Sequence, residues 1–419
     1  MPLADRYRNI RAATESLAAR LTDEDCTIQS MPDASPVKWH LAHTSWFFET
    51  FLLEPSLPGY RAYDPAFRIL FNSYYNAVGE KHPRPQRGLL SRPSRRQIGA
   101  YRTHVDEAMV RLLARRNTGD DPLAELVELG LQHEQQHQEL ILTDALHLLS
   151  CNPLRPAYLA SADREERAAT RPPAPVWIEF DGGLAEIGHD GAGFAFDNEL
   201  PRHREFLAPF ALTSRPVSNG EYLAFIGDDG YRRPELWLSE GWDWLGTHGI
   251  GSPFYWRRDA GAWHQFTLRG SLPIEPGAPV CHISLFEADA YARWARARLP
   301  TESEWEVAAA SAAVDGSFVE DGALLPRPSA GAPGALTQMF GDVWEWTQSD
   351  YAPYPGYHPA AGAIGEYNGK FMCNQYVLRG GSCVTPRSHI RATYRNFFPA
   401  AARWQFSGFR LARDLPRHG

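Results

Sequence analysis

The sequence changes character once, near residue 152, and this break constrains the fold more than any other feature. Before it, apolar residues recur at three- and four-residue steps, as from Asp5 to Leu21, the period of helices that bury one face. Ser35-Pro36 reads as an N-cap followed by proline at the first helical position, opening a helix through KWHLAHTSWFFETFLL that stops before Pro55. Asp121-Pro122 gives the same start signal for a long helix through LAELVELGLQHEQQHQELILTDALHLLS, and Ser94–Leu113 adds another. Residues 1–152 are thus expected to form an antiparallel bundle of about four helices. Residues 153–175, rich in proline, alanine and charge without apolar periodicity, read as a linker. From 176 to 419, glycine, proline and tryptophan crowd short segments such as YRRPELWLSEGWDWLG, and only SLFEADAYARWARARLPTESEWEVAAA reads as helical, as two short helices around a proline. The fold class expected is α+β and multidomain, the second domain built from many short strands and long loops held by aromatic packing.

The chemistry concentrates in the long helix. His133 and His137 in LQHEQQHQEL leave one helical face, and that face continues through Leu126, Leu129, Leu140, Ile141 and Leu148. Two imidazoles turned into a core need partners, because a buried unsatisfied polar group costs roughly 1–3 kcal/mol. A metal ion satisfies both at once; two core histidines bonded to neighbouring helices are the plainer alternative. A third ligand is available in WHLAHTSWFF, where His43 shares a face with Trp39, Trp46 and Phe47, while His40 lies one turn earlier and competes for the role. Three neutral histidines with open positions suit iron or a hydrolytic zinc. HEQQH also matches the zinc-peptidase pattern, with Glu134 as general base, although Thr143 stands where the extended pattern has a histidine.

Net charge is -8, which argues against nucleic acid as a partner. The five cysteines, Cys26, Cys151, Cys281, Cys373 and Cys383, form neither a disulfide framework nor a CxxC pair, which fits a reducing cytoplasm. No stretch approaches the ~18 apolar residues of a membrane span, so the expectation is a soluble, unexported protein, its oligomeric state left open.

WHLAHTSWFFETFLL with LQHEQQHQELILTD resembles the metal-binding DinB-like bundle. RPVSNGEYLAF, PVCHISLFEADAYARWARARLPTESEWEVAA, GDVWEWTQS, VLRGGSCVTP and FSGFRLAR resemble the formylglycine-generating-enzyme (sulfatase-modifying-factor) fold, a C-type-lectin-like α+β domain low in regular structure. Both halves in this order, without an added methyltransferase domain, are similar to the ergothioneine-biosynthesis sulfoxide synthases, non-heme iron enzymes. The resemblance implies oxygen-dependent C–S bond formation between hercynine and a cysteine thiol, with sulfur oxidised to the sulfoxide. It implies iron(II) on His43, His133 and His137, an active-site tyrosine at Tyr74 or Tyr75, and a co-substrate carboxylate clamp at Arg84 and Arg87. Hercynine would be held by Gln136 and by Asn396, Phe397 and Phe398 of YRNFF, the aromatic faces suiting its trimethylammonium, in a site between domains.

Two departures qualify the resemblance. Thr385 and Ile390 stand where formylglycine-generating enzymes carry copper-binding cysteines, with Cys383 offset, so no copper chemistry is expected in the second domain. Phe398 stands where relatives using γ-glutamylcysteine have an acidic residue, which favours free cysteine as sulfur donor. A relative that takes selenium from a seleno-sugar, a zinc hydrolase and a pure binding module remain the alternatives.

Overall fold

A computed structural model of the chain describes residues 2–114, 122–159, 174–329 and 334–416. Of the expected linker, residues 160–173 lie outside the described residues. The chain folds as two compact units: Met1–Leu159 with Pro359–Tyr367, and Ala160–His358 with Asn368–Gly419. The segment Pro359–Tyr367, distant in sequence, is thus part of the N-terminal unit.

Four long helices dominate that unit: the first helix Leu3–Ala18, the His43 helix Val37–Phe48, the third helix Arg95–Ala114 and the paired-histidine helix Pro122–Cys151. Every residue of the His43 helix is buried, so it forms the middle of the bundle and has no solvated face. Its polar side chains are met from the neighbours: Arg11 donates to Ser45 Oγ at 2.8 Å and Arg102 to Thr44 Oγ1 at 2.9 Å. Two local expectations are corrected. The helix is capped at Pro36 without a side-chain bond, because the Ser35 hydroxyl accepts from Arg87 Nη1 at 2.8 Å instead. Nor does the helix stop before Pro55. It widens into a π-turn over Glu49–Leu53 and continues through Glu54–Ser56, where Pro55 has no N–H to give back to the preceding turn, a loss that the wider turn accommodates.

The second unit is α+β with short strands. A four-stranded sheet runs Asn396–Phe398, Tyr376–Arg379, Trp344–Asp350, Ser407–Gly408 in spatial order, beside two three-stranded sheets and a two-stranded ribbon. Three of its helices begin with the same reciprocal cap, Ser218 with Glu221, Ser284 with Glu287 and Thr301 with Glu304, which explains the S/T-x-x-E spacing in its motifs. The WEW and GFRLAR segments meet in the core, where Arg410 grips both oxygens of Glu345 at 2.6 and 2.7 Å and Trp305 Nε1 donates to the same carboxylate. Arg410→Ala leaves that carboxylate buried without its cation. The variant is expected to lose about 3–5 kcal/mol of stability in denaturant titration; a loss under about 1 kcal/mol would show that the pair is dispensable.

Candidate metal centre

The two histidine-bearing helices touch where side-chain bulk is least. Gly130 lies one turn before His133, and a Cβ there would stand 2.6 Å from the Phe48 ring, so glycine lets the paired-histidine helix press against the His43 helix. The result is a cluster of His43, His133 and His137, all buried, each offering one nitrogen, with these atoms within 4.8 Å of one another. His43 Nε2 and both nitrogens of His133 are buried without a hydrogen-bond partner. Orphaned imidazole nitrogens turned toward one point fit a metal ion, and three nitrogen donors leave coordination positions open.

The surrounding bonds fix which nitrogen is free. His43 Nδ1 lies 2.6 Å from the Phe71 carbonyl. A carbonyl only accepts, so Nδ1 carries the proton and Nε2 keeps its lone pair. Trp39 Nε1 donates to the Leu70 carbonyl at 3.1 Å and Trp46 Nε1 to the Arg68 carbonyl at 3.0 Å. These acceptors cluster at the end of the short helix Phe67–Leu70, whose last carbonyls lack helical partners. His40, the rival ligand, lies behind His137: its Nδ1 is 2.8 Å from His137 Nδ1 and its Nε2 3.0 Å from Asp144 Oδ2. With Asp144 as acceptor, His40 donates from Nε2 and accepts from His137 Nδ1–H, leaving His137 Nε2 free. His40 and Asp144 therefore orient the His137 ring, the arrangement that outer partners of metal-binding histidines commonly have.

Burial keeps the cluster neutral. It holds His43 and His137 well below the usual imidazole value and brings His133 down to about 3. Because these folded-state values lie below the unfolded value near 6.5, the metal-free protein keeps its full stability above pH ~6.5. Below that, the unfolded chain takes up protons first, and each histidine costs about 1.4 kcal/mol per pH unit until its folded pKa is reached. Thermal unfolding of metal-free protein should thus show a melting temperature falling steeply between pH 6.5 and 5; a flat profile would mean that the rings are not buried in this state.

Glu134 does not serve the general-base reading. Its carboxylate is fully buried and accepts from Arg11 at 2.8 Å and Arg102 at 3.0 Å. Burial alone would raise its pKa, but the two guanidiniums bring it down to about 2. A base tied to two cations at that pKa is a poor proton acceptor, so this geometry removes the support for a zinc hydrolase.

The remaining expected residues of the first unit lie as follows. Tyr75 is fully buried against Trp46 and Phe51, with ring centres 5.5 and 5.1 Å away, and its hydroxyl lies 3.5 Å from that of Tyr74. Burial raises the Tyr75 pKa well above 10, so the phenol keeps its proton. Arg87 is buried and donates to Ser35 Oγ and Ser73 Oγ, while Arg84 is exposed and donates to the Asp33 carbonyl. Both belong to the 3₁₀ turn Arg84–Leu89, in which side chains three apart eclipse. Gln136 Oε1 accepts from the Tyr367 hydroxyl. In the second unit, Asn396–Phe398 form a strand with Phe397 stacked on Tyr351 at 4.0 Å.

Sequence reasoning missed Tyr367. Its ring lies edge-on to His133 at 5.7 Å and to Tyr74 at 6.2 Å, and the adjacent Glu366 carboxylate accepts from the backbone N–H groups of Asn76 and Ala77 at 3.0 and 2.8 Å. Nothing in its aperiodic neighbourhood, far along the chain from the histidines, announces that it returns to them.

Comparison with known proteins agrees with this two-part build. The DinB superfamily model matches residues 6–141, and the sulfatase-modifying factor enzyme 1-like domain matches 161–332 and 329–415. A hercynine oxygenase of Mycobacterium tuberculosis is 34% identical, with 99% of this chain and 99% of that one covered. One from Mycolicibacterium thermoresistibile is also 34% identical, over 94% of this chain and 91% of its own. A formylglycine-generating enzyme of Streptomyces coelicolor is 30% identical over 57% of this chain and 88% of its own. With its bundle built around a three-histidine cluster able to bind metal, the chain belongs to the hercynine oxygenase family of enzymes.

Proposed function

We propose that the protein is an iron(II)- and O2-dependent sulfoxide synthase that joins hercynine to the thiol of free cysteine, giving hercynylcysteine sulfoxide for ergothioneine biosynthesis in the cytoplasm. The observation that carries this reading is the buried cluster of His43, His133 and His137, in which His43 Nε2 and both nitrogens of His133 have no hydrogen-bond partner. When bound there, iron(II) would supply open positions for a thiolate and dioxygen and the redox capacity to combine them.

The chain's own residues do the rest. Arg87 grips the cysteine carboxylate, with Arg84 at the same edge of the turn, because a planar guanidinium matches a carboxylate with two parallel bonds. Gln136 orients the hercynine imidazole through its amide. Asn396, Phe397 and Phe398 take the betaine end, where aromatic faces suit a trimethylammonium, a contact worth roughly 0.5–2 kcal/mol. Tyr75, kept protonated by burial and with its hydroxyl 3.5 Å from that of Tyr74, donates a hydrogen bond near the reacting sulfur and gives up its proton only to a strongly basic oxygen formed in the reaction. Phe398 offers no charge to a γ-glutamyl group, in keeping with the shorter donor.

Anaerobic incubation with iron(II), hercynine and cysteine, then air, tests the proposal by mass spectrometry. An adduct of both substrates carrying one sulfoxide oxygen, with matching O2 uptake, is expected. Adduct formation only from a selenium donor or from γ-glutamylcysteine would reject the assignment of free cysteine.

A further inference from the structure

Arg87 and the metal ligand His43 are joined by one side chain. The Arg87 guanidinium carbon lies 3.3 Å from the centre of the Trp39 ring. That indole stacks on His43 at 4.6 Å with an interplanar angle of 16°, and Trp46 covers the other face of His43 at 5.5 Å and 17°. The three rings are not free to slide, since each donates its N–H to one of the neighbouring carbonyls of Arg68, Leu70 and Phe71. Guanidinium, indole and imidazole therefore form a stack of fixed order that ends at a metal-binding nitrogen.

The guanidinium in this stack is short of a counter-charge. Arg87 is 3% exposed, its two terminal nitrogens meet only the neutral hydroxyls of Ser35 and Ser73, and its Nε has no hydrogen-bond partner. Among the described residues no carboxylate bonds to it directly; Asp144, which accepts from the Ser35 N–H at 2.7 Å, acts on it only from beyond that serine. A buried cation facing a divalent metal across one indole raises the electrostatic cost of binding that metal. A carboxylate on Arg87 would cancel that charge and hold the guanidinium flat on the indole.

We propose that Trp39 is a positioning residue that couples Arg87 to His43, so that the carboxylate of the sulfur donor and the metal strengthen each other's binding. This rests on the assignment of Arg87 as the carboxylate clamp. It concerns an energetic link between two subsites, separate from the donor's own thiolate–metal bond. Coupling of this kind is reciprocal: whatever factor the carboxylate adds to metal affinity, the metal adds to carboxylate affinity.

The test uses L-alanine, which has the amino-acid carboxylate and lacks a thiol, and cobalt(II), which occupies nitrogen sites without reacting with air. Cobalt affinity of the full-length protein is measured with and without saturating alanine, and alanine affinity with and without cobalt. Visible absorption of the bound cobalt reports the ligand field. In the wild type each ligand should tighten the other by the same factor, about fivefold or more, and alanine should shift the cobalt bands. Trp39→Leu should bind both ligands with the factor reduced toward one and the band shift lost. Trp39→Phe, which keeps a smaller stacked face, should fall between and serves if the leucine variant does not fold. An unchanged factor in both variants, or a factor of one in wild type with alanine bound, overturns the coupling while leaving the clamp standing. Alanine that binds equally well to Arg87→Met overturns the clamp, and the coupling with it.

Discussion

His133→Ala is expected to abolish metal retention and to lower turnover by at least about a thousandfold, while the metal-free protein unfolds at nearly its original temperature. The two effects separate because His133 does different things in the two states. Without metal, both of its nitrogens are buried and unbonded, so the ring adds apolar contact with Phe47 at 4.9 Å and carries a desolvation cost that alanine removes. With metal it is one of three donors, and two donors do not hold a labile divalent ion against buffer. The measurements are metal content after desalting and melting temperature with and without iron(II). At a hundredfold excess over Kd, metal should add about 2.7 kcal/mol to the wild type and nothing to the variant. His40→Ala provides the scale: removing an outer partner should weaken metal binding only about 10–100-fold. Stoichiometric metal in purified His133→Ala would remove the three-histidine centre from consideration.

The legibility of this centre follows physical lines. The i, i+4 pair could be read because both histidines interrupt an apolar stripe, and a buried imidazole demands a partner. The choice between His43 and His40 could not be read from spacing, since both face the core. It turns on Asp144, two turns beyond His137 on the paired-histidine helix, whose contact with His40 across the helix pair makes His40 an orienting group. Glu134 looked like a base by its position in HEQQH; only the arrival of Arg11 and Arg102 from two other helices shows otherwise. The π-turn at Glu49–Leu53 carries Glu49 to the hydroxyls of Tyr60 and Tyr101 at 2.6 and 2.7 Å, partners that periodicity does not report. Tyr367 marks the limit. Periodicity reports faces of regular elements, and Tyr367 follows a short 3₁₀ turn, Ala363–Glu366, with no apolar repeat around it. In the second domain the sequence motifs are chiefly structural: S-x-x-E is a cap, and WEW with GFRLAR is a buried ion pair.

Arg87→Met should separate function from stability in the opposite sense to an ordinary core substitution. In the unliganded protein this guanidinium is buried without a directly bonded carboxylate, and burial, reinforced by the neighbouring charge of Arg84 and only partly opposed by Asp144, drives its pKa well below the usual value, the direction expected of a group that would fold more readily uncharged. Its contact with Trp39 and its two serine bonds offset part of that cost. Methionine keeps the length of the stem and its apolar packing, so the melting temperature should stay the same or rise. The sulfur donor then meets no cation. Losing one partner of a buried, hydrogen-bonded charge pair costs about 2–5 kcal/mol, which corresponds to an apparent KM for cysteine raised from about thirtyfold to several thousandfold, with the KM for hercynine nearly unchanged. Steady-state kinetics with each substrate varied in turn, together with calorimetric melting, checks both halves. An unchanged cysteine KM would reject the clamp. A large drop in melting temperature would mean that the guanidinium is a structural cation whose two serine bonds and indole contact outweigh its desolvation.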